Sequence, residues 1–218
     1  MTEDRIAAVI GDFYHEPGPL RTALETAVKG QSSSIDFFTD PADGPWDRLS
    51  QYSLLVIARE GRVAPRESQA VWNTERHERA IADFVGAGGG LVGLHAGVAS
   101  YAHKGTYGQT LHGSFAYHPE ELPEFQVRPL GARHVLLEGF REFSLRDEMY
   151  FVRVDSAQTT RLLEIDAPDY GSSTAAWAHA CGMGRVFCFT PGHRSEVLAD
   201  PGYLRFLARG IQWARGRL

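Results

Sequence analysis

Gly88-Gly89-Gly90-Leu91-Val92-Gly93-Leu94-His95-Ala96-Gly97 reads as a buried strand running into a glycine-bounded elbow with a histidine at its tip. A Gly-x-tip-x-Gly turn of this kind exposes one side chain at the carboxyl end of a parallel strand. The bracketing glycines are expected because the strand and the helix after it pack too closely there for a Cβ. His95 at the tip supplies neither a thiol nor a hydroxyl to attack a substrate. The elbow therefore points to acid–base or metal-assisted chemistry. Gly88-Gly89-Gly90 precedes the strand instead of following it, which excludes a phosphate-cradling loop and a dinucleotide fingerprint.

Upstream of the elbow, strand and helix patterns alternate. Ile6 to Ile10 is an apolar run ending at Gly11-Asp12. Pro19 opens a helix striped by Leu20, Leu24, Ala27 and Val28 and stopped at Gly30. Ile35 to Phe38 and Ser53 to Ala58 are further strands. Asn73 to Ala87 is a helix with Ala80, Ile81, Phe84 and Val85 inward. Strands that are apolar throughout and alternate with helices imply a parallel, doubly wound sheet covered on both faces.

Downstream the pattern changes. His103 to Pro119 reads as a short helix and a loop. Phe125–Leu130, Met149–Val154, Arg161–Ile165, Thr174–Ala178 and Arg185–Thr190 read as strands, with a hairpin turn at Gly182-Met183-Gly184. An antiparallel extension beside the parallel sheet follows. Asp200-Pro201 caps a closing helix striped by Tyr203, Leu207, Ile211 and Ala214. No repeat or low-complexity linker interrupts the 218 residues, so a single domain over 1–218 is expected.

Composition narrows the function classes. A net charge of −5 and a pI near 6.0 leave no footprint for nucleic acid. No basic amphipathic helix or long apolar run points to a membrane, and the start Met1-Thr2-Glu3-Asp4-Arg5 enters a strand without a signal-peptide apolar region. The two cysteines, Cys181 and Cys188, fall in a strand pair as small apolar fillers and form no disulfide framework, so a reducing cytoplasm is expected.

In an open α/β sheet, ligands bind outside the carboxyl ends of the strands. The polar residues that follow strands are therefore the site candidates: Asp12, Tyr14, His15 and Glu16, then Arg59 and Glu60, then His95, then His193 after Pro191-Gly192. His118 and Glu148, the latter at the entry to a strand, join them. His103 and His112 are weaker candidates; His134 and His179 read as strand-edge or core residues, and His77 as a solvated helix face. Two designs fit. In one, His95, His193 and a carboxylate, with His15 as a further candidate, hold a divalent transition metal. No HxxxH or HExxH spacing exists, so the ligands come from separate loops. In the other, His95 and Glu148 act as a general acid/base pair on a polyhydroxylated substrate, with Tyr14, Tyr101 and Tyr107 against the sugar ring.

Five ordered motifs then carry a resemblance: GGGLVGLHAG at 88–97, GSFAYHP at 113–119, DEMY at 147–150, GMGRVF at 182–187 and PGH at 191–193. Together with Tyr14-His15-Glu16 they make the chain similar to the ThuA-like trehalose-utilisation family over nearly its whole length. The resemblance implies a flavodoxin-like, class I glutamine amidotransferase-like three-layer sandwich. It also implies a role in breakdown of trehalose-type disaccharides through 3-keto-sugars made by partner dehydrogenases, with zinc associated with some members. His95, His118, Glu148 and His193 fall on the family's motif positions. Arg59-Glu60 replaces a tryptophan- and histidine-bearing turn of the trehalose-operon type, which leaves open both trehalose specificity and a metal ligand from that loop.

The expectation is an enzyme acting on a sugar or 3-keto-sugar through His95, Glu148, His193 and His118, with Tyr14, His15, Glu60 and Tyr101 binding substrate. The alternative is a non-catalytic sugar-binding or regulatory protein on the same fold. A glutamine amidotransferase is disfavoured because His95 stands where that chemistry needs cysteine. Homo-oligomerisation is expected on the general habit of such folds.

Overall fold

The structure, a computed structural model, describes residues 4–218; Met1-Thr2-Glu3, which precede the expected first strand, lie outside the described residues. The strands are β1 (Asp4–Ile10), β2 (Ser33–Phe38), β3 (Leu54–Ala58), β4 (Gly90–Leu94), β5 (Gly113–Tyr117), β6 (Glu124–Pro129), β7 (Phe143–Arg146), β8 (Phe151–Val154), β9 (Thr160–Ala167), β10 (Gly171–Cys181) and β11 (Gly184–Phe189). The helices are α1 (Pro17–Ala27), α2 (Glu75–Gly86), α3 (Thr106–Leu111), α4 (Ser195–Leu198) and α5 (Pro201–Ala214).

One continuous sheet runs β2-β1-β3-β4-β11-β10-β9-β6-β7, and β5 pairs with β8 as a separate ribbon. From β2 to β11 the strands are parallel, in the flavodoxin-like order that places a switch point beside β1 and β3. From β11 to β7 every pairing is antiparallel. The expected three-layer α/β sandwich with an antiparallel extension is therefore present.

The alternation of a strand's side chains builds two cores. Ile6, Ala8 and Ile10 of β1 join Leu20 and Leu24 of α1 and Phe206, Leu207 and Ile211 of α5. Ala7 and Val9 face the other way, toward Ile81 and Val85 of α2 and Tyr107 and Leu111 of α3. Strands buried on both faces read as unbroken apolar runs, which is why they were legible.

Several boundaries differ from expectation. Pro17, not Pro19, occupies the first position of α1. Residues 113–117 form a strand instead of a loop, because the ribbon partner β8 satisfies their backbone. The four-residue edge strand β7 shows only Leu145 buried, so it carries too little apolar pattern to read. His77 is not a solvated helix face: its Nδ1 lies 2.8 Å from the Trp72 carbonyl, it completes the cap of α2, and its ring packs on Trp46.

Candidate active site

The elbow folds much as its glycines demand. After β4 the chain enters a single 3-10 turn, residues 95–98, with His95 in left-handed backbone at φ 45°. A non-glycine residue held there is strained, and such strain gathers where geometry is fixed for function. The close approach at Gly97 is not to a following helix: a Cβ there would lie 1.9 Å from the Ile57 carbonyl oxygen of β3. The turn is wedged against the neighbouring strand.

His95 is buried, and its Nδ1 lies 2.7 Å from the Thr190 carbonyl at the end of β11. A carbonyl only accepts, so Nδ1 carries a proton, and the buried Nε2 turns into the site, where it meets no hydrogen-bond partner among the described residues. His15, from the loop after β1, is arranged in the same way. Its Nδ1 donates to Asp12 over 2.7 Å, and its Nε2 lies 3.1 Å from Nδ1 of His193. The rings of His15 and His95, and of His15 and His193, have centroids 4.9 Å apart. Glu148 completes the group, with Oε2 3.4 Å from both His95 Nε2 and His193 Nδ1.

His15, His95, Glu148 and His193 thus each bring one donor atom to a cluster in which all lie within 4.8 Å of one another. Three imidazoles and one carboxylate from separate loops suit a first-row divalent ion. The buried Nε2 of His95, turned toward the other donors, and the outward N–H bonds that fix two of the rings are the supporting features such sites use.

Electrostatics sharpen the arrangement. Burial pushes the Glu148 carboxyl up, but His95, His193 and His118 around it outweigh burial and hold it down at about 2. Burial presses His95 down, yet Glu148, Asp147 and the Thr190 carbonyl more than offset it and raise its pKa. For His193 burial, with His95 and His15, prevails over Glu148 and Asp147, so its pKa is lowered. Asp12 is pushed up by burial and pulled further down by His15 and by the N–H groups of Glu60 and Tyr14.

The remaining candidates divide. His118 stands at the rim, its Nε2 3.8 Å from Glu148 Oε1. Tyr14 is exposed, edge-on to His15. Glu60 is buried; its Oε2 accepts from Arg62 and Ser100, and its Oε1 meets no hydrogen-bond partner among the described residues. Tyr101 does not offer its hydroxyl to a ligand: it is buried and donates to the Arg59 carbonyl over 2.6 Å. Tyr107 likewise donates to the Gly97 carbonyl, bracing the elbow. Cys188 lies fully buried in β11 opposite Gly93, and burial raises its thiol pKa, so it cannot replace a missing nucleophile.

Three residues outside the expected set prove structural to the site. Asp147, fully buried, accepts N–H bonds from Gly192, His193 and Arg194 and so fixes the loop that carries His193. Gly192 in that loop has φ 136°, a backbone that favours glycine. Tyr150 stacks on His95 with ring centroids 4.2 Å apart. Asp147 and Tyr150 flank Glu148 in the DEMY motif, which was the only signal available for them.

The model of the ThuA family, described as trehalose utilisation, matches residues 6–214. The chain belongs to the ThuA family. Among solved structures, a ThuA-like protein from Parabacteroides merdae is similar with a TM-score of 0.79 at 16% identity, covering 98% of this chain and 90% of that one. A ThuA-like protein from Bacteroides uniformis has a TM-score of 0.74 at 18% identity, covering 97% and 91%. A glutamine amidotransferase from Thermotoga maritima has a TM-score of 0.64 at 12% identity, covering 99% of each chain. At these identities the structures establish the fold. No curated protein matches the chain. Among the described residues of this ThuA chain, no helix is long and apolar enough to cross a membrane.

Proposed function

We propose that the chain is an enzyme of carbohydrate breakdown, acting on a sugar or 3-keto-sugar of the trehalose-type disaccharides at the centre formed by His15, His95, Glu148 and His193. The observation that carries this reading is the meeting of four donor atoms from four loops within 4.8 Å. Membership of a trehalose-utilisation family supports this choice of substrate class.

His15, His95, His193 and Glu148 would hold a divalent ion such as zinc. When bound, the ion supplies Lewis-acid polarisation of a carbonyl or hydroxyl oxygen. Asp12 and the Thr190 carbonyl keep the His15 and His95 rings presented Nε2-first. Glu148, ionised throughout the physiological range, accepts a proton or balances positive charge at the centre. His118, nearer solvent and 3.8 Å from Glu148, is placed to pass protons between pocket and water. The aromatic face of the exposed Tyr14 beside His15 suits the C–H face of a sugar ring.

The test has two arms. Elemental analysis and zinc titration of the purified protein should show one ion per chain, weakened at least a hundredfold in His95→Ala. The same proteins incubated with 3-keto-glycosides should show turnover lost in that variant. Tight sugar binding without turnover in the metal-replete protein would instead assign a binding role, and absence of both metal and sugar binding would end the proposal.

A further inference from the structure

Arg59 follows β3 at the same sheet edge as the catalytic cluster but faces another cavity. Its side chain is more than nine-tenths buried. Nη1 donates to two carbonyls, Gly11 and, over 3.1 Å, Thr39. Among the described residues the buried Nε meets no hydrogen-bond partner and Nη2 makes no hydrogen bond. No carboxylate among the described residues forms an ion pair with it. The two nearby acids are committed elsewhere: Asp12 to His15 and to the Tyr14 and Glu60 N–H groups, and Glu60 to Arg62 and Ser100. Asp40, on the rim, is exposed and caps the turn at Pro41–Asp43 by accepting from Ala42.

A buried guanidinium without a counter-ion is costly, because the low-dielectric surroundings give up the hydration of the charge and return no ion pair. Arg59 lines a pocket of about 370 Å³ with Thr39, Asp40, Val63, Trp72 and His77. That volume accommodates a small metabolite. The guanidinium presents planar donors suited to phosphate or carboxylate oxygens. The Trp72 ring and Val63 supply an apolar wall, and the Thr39 hydroxyl and His77 add polar contacts.

We infer that this pocket is a second ligand site, separate from the histidine cluster, which binds the phosphate or carboxylate group of a small metabolite on the Arg59 guanidinium. It is tied to the first site through the backbone. The Glu60 N–H, next to Arg59, donates to Asp12 over 2.9 Å, and Asp12 holds His15. An anion drawn against Arg59 therefore bears on the segment that orients a residue of the catalytic cluster.

The experiment titrates the metal-free full chain with inorganic phosphate and, separately, with acetate, by calorimetry at constant ionic strength. Substituting Arg59 itself would also remove its ties to Gly11 and Thr39, so the informative variant is Val63→Glu. That position is exposed, and the new carboxylate at the pocket wall competes for the guanidinium. Saturable binding by the wild type, weakened at least tenfold in Val63→Glu and unchanged in His95→Ala, supports the inference. Phosphate binding in preference to acetate assigns a phosphate ester, and the reverse assigns a carboxylate. Absence of saturable binding by either anion overturns it, as does binding that Val63→Glu leaves intact or that His95→Ala abolishes. Because His95→Ala is carried throughout, failure here is distinguishable from failure of the proposed catalytic centre.

Discussion

Asp12 shows how much of the site rests on residues that touch no ligand. Its Oδ1 holds His15 Nδ1, and its Oδ2 accepts from the Glu60 N–H. Asp12→Asn should keep the fold but lower zinc affinity by about 10- to 100-fold, the usual consequence of losing a carboxylate behind a ligating histidine. Calorimetric titration checks it, and unaltered affinity would show that His15 is held by packing alone. Glu148→Gln, which removes the one negative donor, should weaken zinc at least as much, with circular dichroism unchanged. At this scale the histidines were legible because each follows a strand. Asp147 was not: an acid beside Glu148 looks like any surface carboxylate until the loop at 192–194 closes over it.

Among the elements, the elbow is the least forgiving. Gly97→Ala would place a methyl 1.9 Å from the Ile57 carbonyl oxygen, and that oxygen belongs to a β-strand that cannot retreat. We expect a loss of about 3 kcal/mol or more in urea unfolding, at the upper end of overpacking costs. A smaller loss would mean that the 3-10 turn can lift off β3. By contrast, Asp200→Ala at the start of α5 removes two N–H bonds, to Gly202 and Tyr203, and should cost about 1 kcal/mol. The Asp-Pro signature of that cap was plain in the sequence. The β5–β8 ribbon was half hidden, since its pairing joins segments far apart in the chain and two short strands have no turn between them to announce the partnership.

For the molecule as a whole, pH-dependent stability should carry the mark of His179. It sits in β10, 7% exposed, with Nε2 3.0 Å from the Thr110 carbonyl and Nδ1 buried with no hydrogen-bond partner among the described residues. Burial, assisted by His112, lowers its pKa to about 4. The unfolded chain takes up that proton near the ordinary histidine value of about 6.5, before the folded chain does. Stability from this group is therefore complete above about 6.5 and declines as the pH falls toward 4. Relative to His179→Gln, the wild type should lose roughly 2–3 kcal/mol between neutral pH and pH 4 in urea unfolding. Parallel curves for the two proteins would show that the imidazole reaches water.

The sequence by itself determined the parallel half of the sheet, the histidine elbow and the family. Buried strands must be apolar throughout, and a tight turn must be glycine-bounded, so both leave their imprint on consecutive residues. Only the tertiary structure decided that His15, His95, Glu148 and His193 share one centre, that Tyr101 and Tyr107 spend their hydroxyls on backbone carbonyls, and that Arg59 is buried without an ion pair among the described residues. These depend on distances between residues far apart in the chain. Such distances are set by how strands stack side by side, and no local pattern records them.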